Sequence, residues 1–380
     1  MKRPDPHLDD VVAQVLEQAH QRLREPRIPA ATYRVQFNAD FPFAAAAAIV
    51  PYLHELGISD LYASPWLRAT PGSLHGYDVV DHHEVNPQLG GEEGLEELVQ
   101  TLQQHGMGHL LDFVPNHMGI GPANAMWPDV LENGRSSHYA RFFDIDWRPA
   151  KDELENKVLL PVLGDQYGAV LEAGDLKLEF DHGTFWVRYY EHLFPINPRQ
   201  YSMVLRHRLH ELEAILPPED LRLEELLSIC TACDNLPPRT ETDPRKIAER
   251  RREKEVIKRR LDSLCESSAE VRQFVEENVR EFNGTPGDPR SFDLLDRLLD
   301  AQAYRLAHWR VAGEEINYRR FFDINELAAI RMEDPAVFRE AHAVVIQMLA
   351  QGKLHGLRID HPDGLFDPRE YFRRLQEEYF

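Results

Sequence analysis

The segment "GLRIDHPDGL" (356–365) sets an arginine and an aspartate two residues apart in an apolar run that breaks on Pro362 and Gly364. Side chains alternate along a strand, so Arg358 and Asp360 leave the same face. A guanidinium beside a carboxylate orients it and favours its charged form. A fixed, charged carboxylate in a polar cleft is what a retaining glycosidase uses as its nucleophile. The same pair would also serve as a structural ion pair closing a strand, and this motif alone leaves both readings open. A second polar cluster, Asp112, Asn116 and His117, crowds the end of the apolar run that starts at Gly108.

Elements that could present these groups alternate in the first zone of the chain, about residues 28–120. "ATYRVQF" (31–37) and "SDLYASP" (59–65) read as strands, rich in β-branched and aromatic residues. "FAAAAAIVPYLHELG" (43–57) reads as a helix ending at Gly57, with Pro51 marking a kink or a late start. In "GGEEGLEELVQTLQQHG" (90–106), Leu95, Leu98, Val99 and Leu102 share one helical face. "GHLLDFVPN" (108–116) is a continuous apolar run of the kind a parallel strand buried on both faces carries. The order βαβαβ implies a parallel sheet. Residues 121–300 break the rhythm. "KVLLPVLG" and "LKLEFDHGTFWVRYY" suggest short strands, and the charge-dense stretch 243–284 suggests a solvated helical hairpin. The pattern resumes over 301–380: a helix near 293–310, "NYRRFFDINEL", a helix near 335–352, "GLRID" as a fourth strand, and a helix from Pro368.

No Gly-x-Gly-x-x-Gly follows the first strand, so a dinucleotide fold lacks support. Polar residues instead gather at strand C-termini, the rim where barrel enzymes do chemistry. Four strands with interleaved helices suit half of a (β/α)8 barrel or a small doubly wound sheet, and the polar rim favours the first, so the expected fold is α/β: the N-terminal half of a (β/α)8 TIM barrel with a large, mostly helical insertion between strands 3 and 4. Residues 1–120 would carry strands 1–3, residues 121–300 the insertion, and residues 301–380 strand 4.

The 380 residues carry a formal charge of −21, which disfavours nucleic acid and anionic membranes as partners and suits a neutral substrate. The opening "MKRPDPHLDDVVAQVLEQ" has no apolar leader, no run approaches a membrane span, and the expected location is cytoplasmic. Cys230, Cys233 and Cys265 are too few for a disulfide framework, and the lone "CTAC" lacks a second pair for zinc, so they read as ordinary thiols. His83, His105, His109 and His355 have no motif context and read as ordinary surface or core histidines.

"DFVPNH" (112–117), "GLRID" (356–360) and "HGYDV" (75–79) resemble signature segments of the α-amylase family of glycoside hydrolases and transglycosylases. "YRVQF", "DLYASPWLRATPGSLHGYDVVDH", "NYRRFFDINELAAIR" and "GLRIDHPDGL" narrow the resemblance to a trehalose-forming branch of that family. The resemblance gives Asp360 the nucleophile's place and Arg358 that of the arginine orienting it. His117 matches the histidine that binds the reacting sugar through its 6-hydroxyl, and Tyr77 the tyrosine that stacks under it. Asp78 would position the Tyr77 loop, and Asp112 would support the arginine. Asn116 matches a residue that helps bind calcium in other branches, a role not carried over here. His361 and Asp363 match this branch and would line the leaving-group side. The implied substrate is a maltooligosaccharide, with no cofactor and no metal. The implied reaction is an intramolecular transglycosylation: the terminal α-1,4 bond is cut, the oligosaccharide is held on Asp360 as a glycosyl ester, and the retained glucose attacks through its anomeric hydroxyl to form an α,α-1,1 link. An α-1,4-glucan hydrolase or other transglycosylase of the same fold, or a non-catalytic glucan-binding fragment, are the alternatives. The family's general acid/base is a glutamate after a fifth strand, which has no place before Phe380. The expectation is thus an N-terminal fragment, inactive alone, that self-associates or pairs with a missing C-terminal half.

Overall fold

In the computed structural model, residues 27–379 and Glu17 are described; the rest of the opening segment read as leaderless lies outside the described residues. The chain divides into two compact units, one running to Met118 and again from Arg331, the other spanning Gly119–Ile330.

The first unit is built on a four-stranded sheet of β1 (Thr32–Val35), β2 (Asp60–Ala63), β5 (Gly108–Phe113) and β6 (Gly356–Ile359). Neighbours lie in chain order and every pairing is parallel: Arg34 beside Tyr62, Tyr62 beside Leu110, Arg358 beside Asp112. β3 (Leu67–Ala69) and β4 (Val79–Val85) form an antiparallel hairpin after β2. The helices are α1 (Phe43–Glu55), α2 (Gly91–Gln104), α3 (Pro335–Ala350) and α4 (Pro368–Tyr379). Pro51 sits inside α1, which begins at Phe43, so the late start does not occur; Gly57, at φ +85°, takes the chain out of the helix. In α3 the Asp334 side chain caps the helix by accepting from Ala336 N, with Pro335 at the first helical position.

The two faces of this sheet differ in kind. Val35, Leu61, Ala63, Leu111 and Phe113 pack with Phe43, Val50 and Leu53 of α1, Leu95, Leu98 and Leu102 of α2, and Val345 and Leu349 of α3. Alternation sends Arg34, Tyr62, Leu110, Asp112, Arg358 and Asp360 to the opposite face. Buried histidines brace the helical side. His342 of α3 stacks on Phe338, and its ring is hydrogen-bonded to Phe338 O and to the Tyr371 hydroxyl of α4. His82 bonds Val114 O at 3.0 Å, and His109 lies fully inside.

In the second unit, Val158–Leu163 pairs in parallel with Tyr304–His308, and Lys177–Asp181, Thr184–Tyr189 and His192–Pro195 form an antiparallel three-stranded sheet. Three differences from the sequence reading appear here. The helix expected over 293–310 stops at Asp300, and residues 304–308 are a strand. That pairing keeps residues 301–330 in this unit, so the chain returns to the first unit at Arg331 and not near 301. The charge-dense stretch does form two helices, Pro244–Ser267 and Ala269–Phe282, capped by Asp243 and Ser268, but it is not solvated throughout. Arg250 and Lys254 are buried: Arg250 donates to Asn133 and Asn197, and Glu132 pairs with both Lys254 and Lys258. Cys230, Cys233 and Cys265 are buried free thiols. Among the described residues no helix is long and apolar enough to cross a membrane, and no cluster of three or more His, Cys, Asp or Glu could hold a metal ion.

Candidate active site

Adjacent pairing of β5 and β6 sets Arg358 beside Asp112, and the two-residue strand period adds Asp360 on the same face. Arg358 Nη1 donates to Asp112 Oδ1 at 2.8 Å and also to Asp360 Oδ1. The side chains of Asp112 and Asp360 are 0% and 6% exposed, while that of Arg358 is 49% exposed. One guanidinium thus bridges two buried carboxylates, and its own proton is held more tightly than usual: burial opposes this, but the bonds to Asp112 and Asp360 outweigh it. The Asp360 backbone is fixed as well, through its N–H to Phe113 O at 2.9 Å.

Asp112 is the hub of this arrangement. Its second oxygen accepts from two phenols, Tyr62 at 2.8 Å and Tyr77 at 2.6 Å. Tyr77 in turn accepts from Arg34 Nη2 at 3.1 Å, and the Arg34 guanidinium lies 5.6 Å from the centre of the Tyr62 ring. Burial, and then the bond to Asp112, pushes the Tyr77 phenol up to about 12, so it remains a donor at neutral pH.

Tyr77 reaches Asp112 from the loop of the β3–β4 hairpin. That loop is closed by Thr70 N to Asp78 O and by Ser73 Oγ to Asp78 Oδ1, and Gln36 Nε2, just past β1, donates to Leu74 O. Gly76, at φ +78°, has no room for a side chain, because a Cβ would come within 2.4 Å of Pro65 O. His117 Nε2 donates to the Tyr77 carbonyl at 3.1 Å, and burial pushes its ring down to about 4, leaving a neutral imidazole. Asn116 packs against Gly364, where a Cβ would come within 2.8 Å of Asn116 Oδ1. His361 directly follows Asp360 in the left-handed region, at φ +42°, and its Nδ1 lies 3.7 Å from Asp363 Oδ1.

Asp360, Arg358, Asp112 and Tyr77 therefore form one hydrogen-bonded group, with His117 and Asp78 holding the Tyr77 loop and Asn116, His361 and Asp363 on the turns that follow β5 and β6. Sequence reasoning missed Arg34 and Tyr62. The signal was available: in "YRVQF" the polar Arg34 and Gln36 alternate with Tyr33, Val35 and Phe37, which marks a strand face turned away from the apolar core.

The same arrangement can be set against known proteins. Residues 47–189 match the family described as the α-amylase catalytic domain. A protein named as a maltooligosyl trehalose synthase from Mycobacterium tuberculosis is 32% identical over 356 residues, covering 91% of this chain and 32% of its own. The solved maltooligosyltrehalose synthase from Arthrobacter ramosus is 36% identical with a TM-score of 0.61, covering 92% of this chain and 33% of that one. Over most of its length the chain is similar to maltooligosyltrehalose synthases. An intracellular maltogenic amylase from Bacillus subtilis matches a shorter stretch, 39% identical over 102 residues, 27% of this chain and 17% of the relative. The chain thus spans about a third of the length of the synthases it matches.

Proposed function

We propose that this chain supplies the nucleophile side of a retaining α-glucan transglycosylase, one that isomerises the reducing-end α-1,4 bond of a maltooligosaccharide to an α,α-1,1 bond. The observation that carries the reading is the Arg358 bridge between Asp112 and Asp360, two buried carboxylates at the ends of adjacent parallel strands. Asp360 attacks the anomeric carbon, the glycosidic oxygen leaves with a proton from the acid/base carboxyl, and a glycosyl ester forms on Oδ2 or Oδ1 with inverted configuration. The freed glucose turns in place, its anomeric hydroxyl gives a proton back to that carboxyl and attacks the anomeric carbon of the ester, and the Asp360 carboxylate leaves. Arg358 orients the carboxylate and Asp112 orients Arg358. Tyr77 offers its ring to the sugar and its hydroxyl to Asp112, and His117 fixes that loop through the Tyr77 carbonyl and takes the place of the histidine at the sugar's 6-hydroxyl. Asp78 closes the loop, and His361 and Asp363 border the leaving group.

This reading treats the four-stranded sheet as half of a (β/α)8 barrel, with unit 2 as an insertion between its third and fourth strands. Support comes from the sequential parallel order, from helices packed on one face, and from a polar opposite face on which Arg34 and Arg358 remain exposed. A retaining mechanism needs an acid/base carboxyl about 5 Å from the nucleophile. Asp112 is committed to Arg358, Tyr62 and Tyr77, so we assign that role to the two thirds of the synthases' length that this chain does not span. The test is to combine the chain with a polypeptide carrying the remaining strands and to incubate the pair with maltopentaose. Isomerisation removes reducing ends at constant total carbohydrate; hydrolysis creates them, and that result would replace the synthase reading with a hydrolase one.

A further inference from the structure

We propose that Arg34 is a positioning residue: by donating to the Tyr77 phenol oxygen it fixes that ring where the reacting sugar stacks, and Gln36 holds the same loop from beside it. The inference rests on the reading of Asp360 as a glycosyl nucleophile. It adds to that site two residues at the opposite end of the sheet, since β1 and β6 are its outer strands.

Tyr77 has to be held because its loop is open to solvent: Leu74 is 66% exposed and His75 is exposed as well. At the backbone end, His117 Nε2 donates to the Tyr77 carbonyl at 3.1 Å. At the far end of the ring, the phenol donates to Asp112 Oδ2 at 2.6 Å and accepts from Arg34 Nη2 at 3.1 Å. A guanidinium only donates and a charged carboxylate only accepts. The phenol proton therefore has one direction, toward Asp112, and the phenol oxygen is held between a cation and an anion. A phenol O–H lies close to its ring plane, so that direction also sets the tilt of the ring.

Arg34 is itself braced for this task. Its Nη1 donates to Gln36 Oε1 at 2.8 Å, and its guanidinium lies 5.6 Å from the centre of the Tyr62 ring. Two residues apart on an extended chain, Arg34 and Gln36 leave the same side. Gln36 uses both ends of its amide, the oxygen on Arg34 and the nitrogen on Leu74 O at 2.9 Å. The planar fork of an arginine reaches Gln36 and Tyr77 from two nitrogens, which the single ammonium of a lysine does less well. An arginine that only solvated the sheet edge would leave Tyr77 indifferent to its loss.

The test is a double-mutant cycle on the complemented enzyme with maltopentaose: the parent, Arg34→Met, Tyr77→Phe and the pair, with Arg34→Lys beside them. Arg34→Met keeps the stem and removes the donors. It should lower kcat/KM about tenfold, the value of a hydrogen bond from a charged donor. Most of that loss should fall on KM, because a stacked ring binds the sugar in the ground and transition states alike. In the Tyr77→Phe background the same change should cost less than about twofold more, since the ring then has no oxygen to hold. Arg34→Lys should lie between the parent and Arg34→Met. Equal losses from Arg34→Met in both backgrounds, or no loss in the parent, would overturn the inference and leave the reading of Asp360 intact. A parent that hydrolyses maltopentaose would overturn the transglycosylase reading alone, because the cycle is then taken on the hydrolysis rate. If the parent binds without turnover the cycle is taken on the binding isotherm, and a parent that neither binds nor turns over maltopentaose would overturn both.

Discussion

Asp112 makes more contacts with other side chains of the candidate site than Asp360, the proposed nucleophile, does. Asp360→Asn keeps the shape and loses the nucleophile, so turnover of the complemented enzyme should fall by several orders of magnitude while oligosaccharide binding survives. Steady-state kinetics and a binding isotherm check both halves of that statement. Tyr77 contributes its hydroxyl as well as its ring. If only its ring mattered for sugar stacking, Tyr77→Phe would be mild. Its hydroxyl is instead one of two phenols on a fully buried carboxylate, and loss of a bond to a charged group costs about 1.5–3 kcal/mol. We expect about tenfold or greater loss of kcat/KM for Tyr77→Phe and for Tyr62→Phe. The double variant should lose more than the sum, because Asp112 would then be held by Arg358 alone. Tyr62→Phe with unchanged kinetics would remove Tyr62 from the network.

Elements carry two further predictions, one in each unit. His82 and His109 are wholly buried, and burial pushes each ring down to about 4. His342 is pushed down to about 3 by the same cause. A histidine with its pKa depressed in the fold binds its proton in the unfolded chain first, so stability falls as pH drops below the unfolded value near 6.5. By pH 4, each of the first two histidines costs on the order of 3 kcal/mol, a large share of a typical 5–15 kcal/mol. The melting temperature should therefore decline steadily from pH 6.5 to 4.5, above most of the carboxylate range; a flat profile there would contradict the burial account. In unit 2, Glu132→Gln leaves the buried Lys254 and the half-buried Lys258 without their main counter-ion and should cost about 3–5 kcal/mol in urea unfolding. Glu255→Gln, an exposed partner of the same lysines, should cost well under 1 kcal/mol. What sequence showed and hid follows the same physics. The alternating strands and the apolar stripe of α2 were legible because burial imposes a period. The buried Lys254 and Arg250 were not, because a charged helix reads as solvated unless its distant partners, Glu132 and Asn133, are known to meet it. The strand at 304–308 was hidden for a similar reason: its partner Val158–Leu163 lies far back in the chain. Arg358 and Asp360 were legible through strand alternation, and the same alternation marks the face of Arg34, but the bonds that tie Arg34 and Tyr62 to Tyr77 and Asp112 run across the sheet, where local sequence does not state them.

At the scale of the whole molecule, β1 and β6 each pair on one side only within the sheet of the described residues. Open parallel edges invite another chain. We expect the 380-residue chain alone to self-associate, and co-expression with a polypeptide supplying further strands to convert it to a soluble complex. Light scattering reads this directly, and a stable monomer that melts cooperatively would show that the edges are protected in some other way. The central claim, that Asp360 is the residue to which the sugar becomes bonded, is tested most directly by trapping. The complemented enzyme is incubated with a maltooligosaccharide analogue whose fluorinated sugar slows release of the glycosyl ester, then digested and mapped by mass. We predict one added glycosyl mass on the peptide containing "GLRIDHPDGL", located at Asp360 and absent in Asp360→Asn. An adduct on a different carboxylate, or undiminished turnover in Asp360→Asn, would contradict the account.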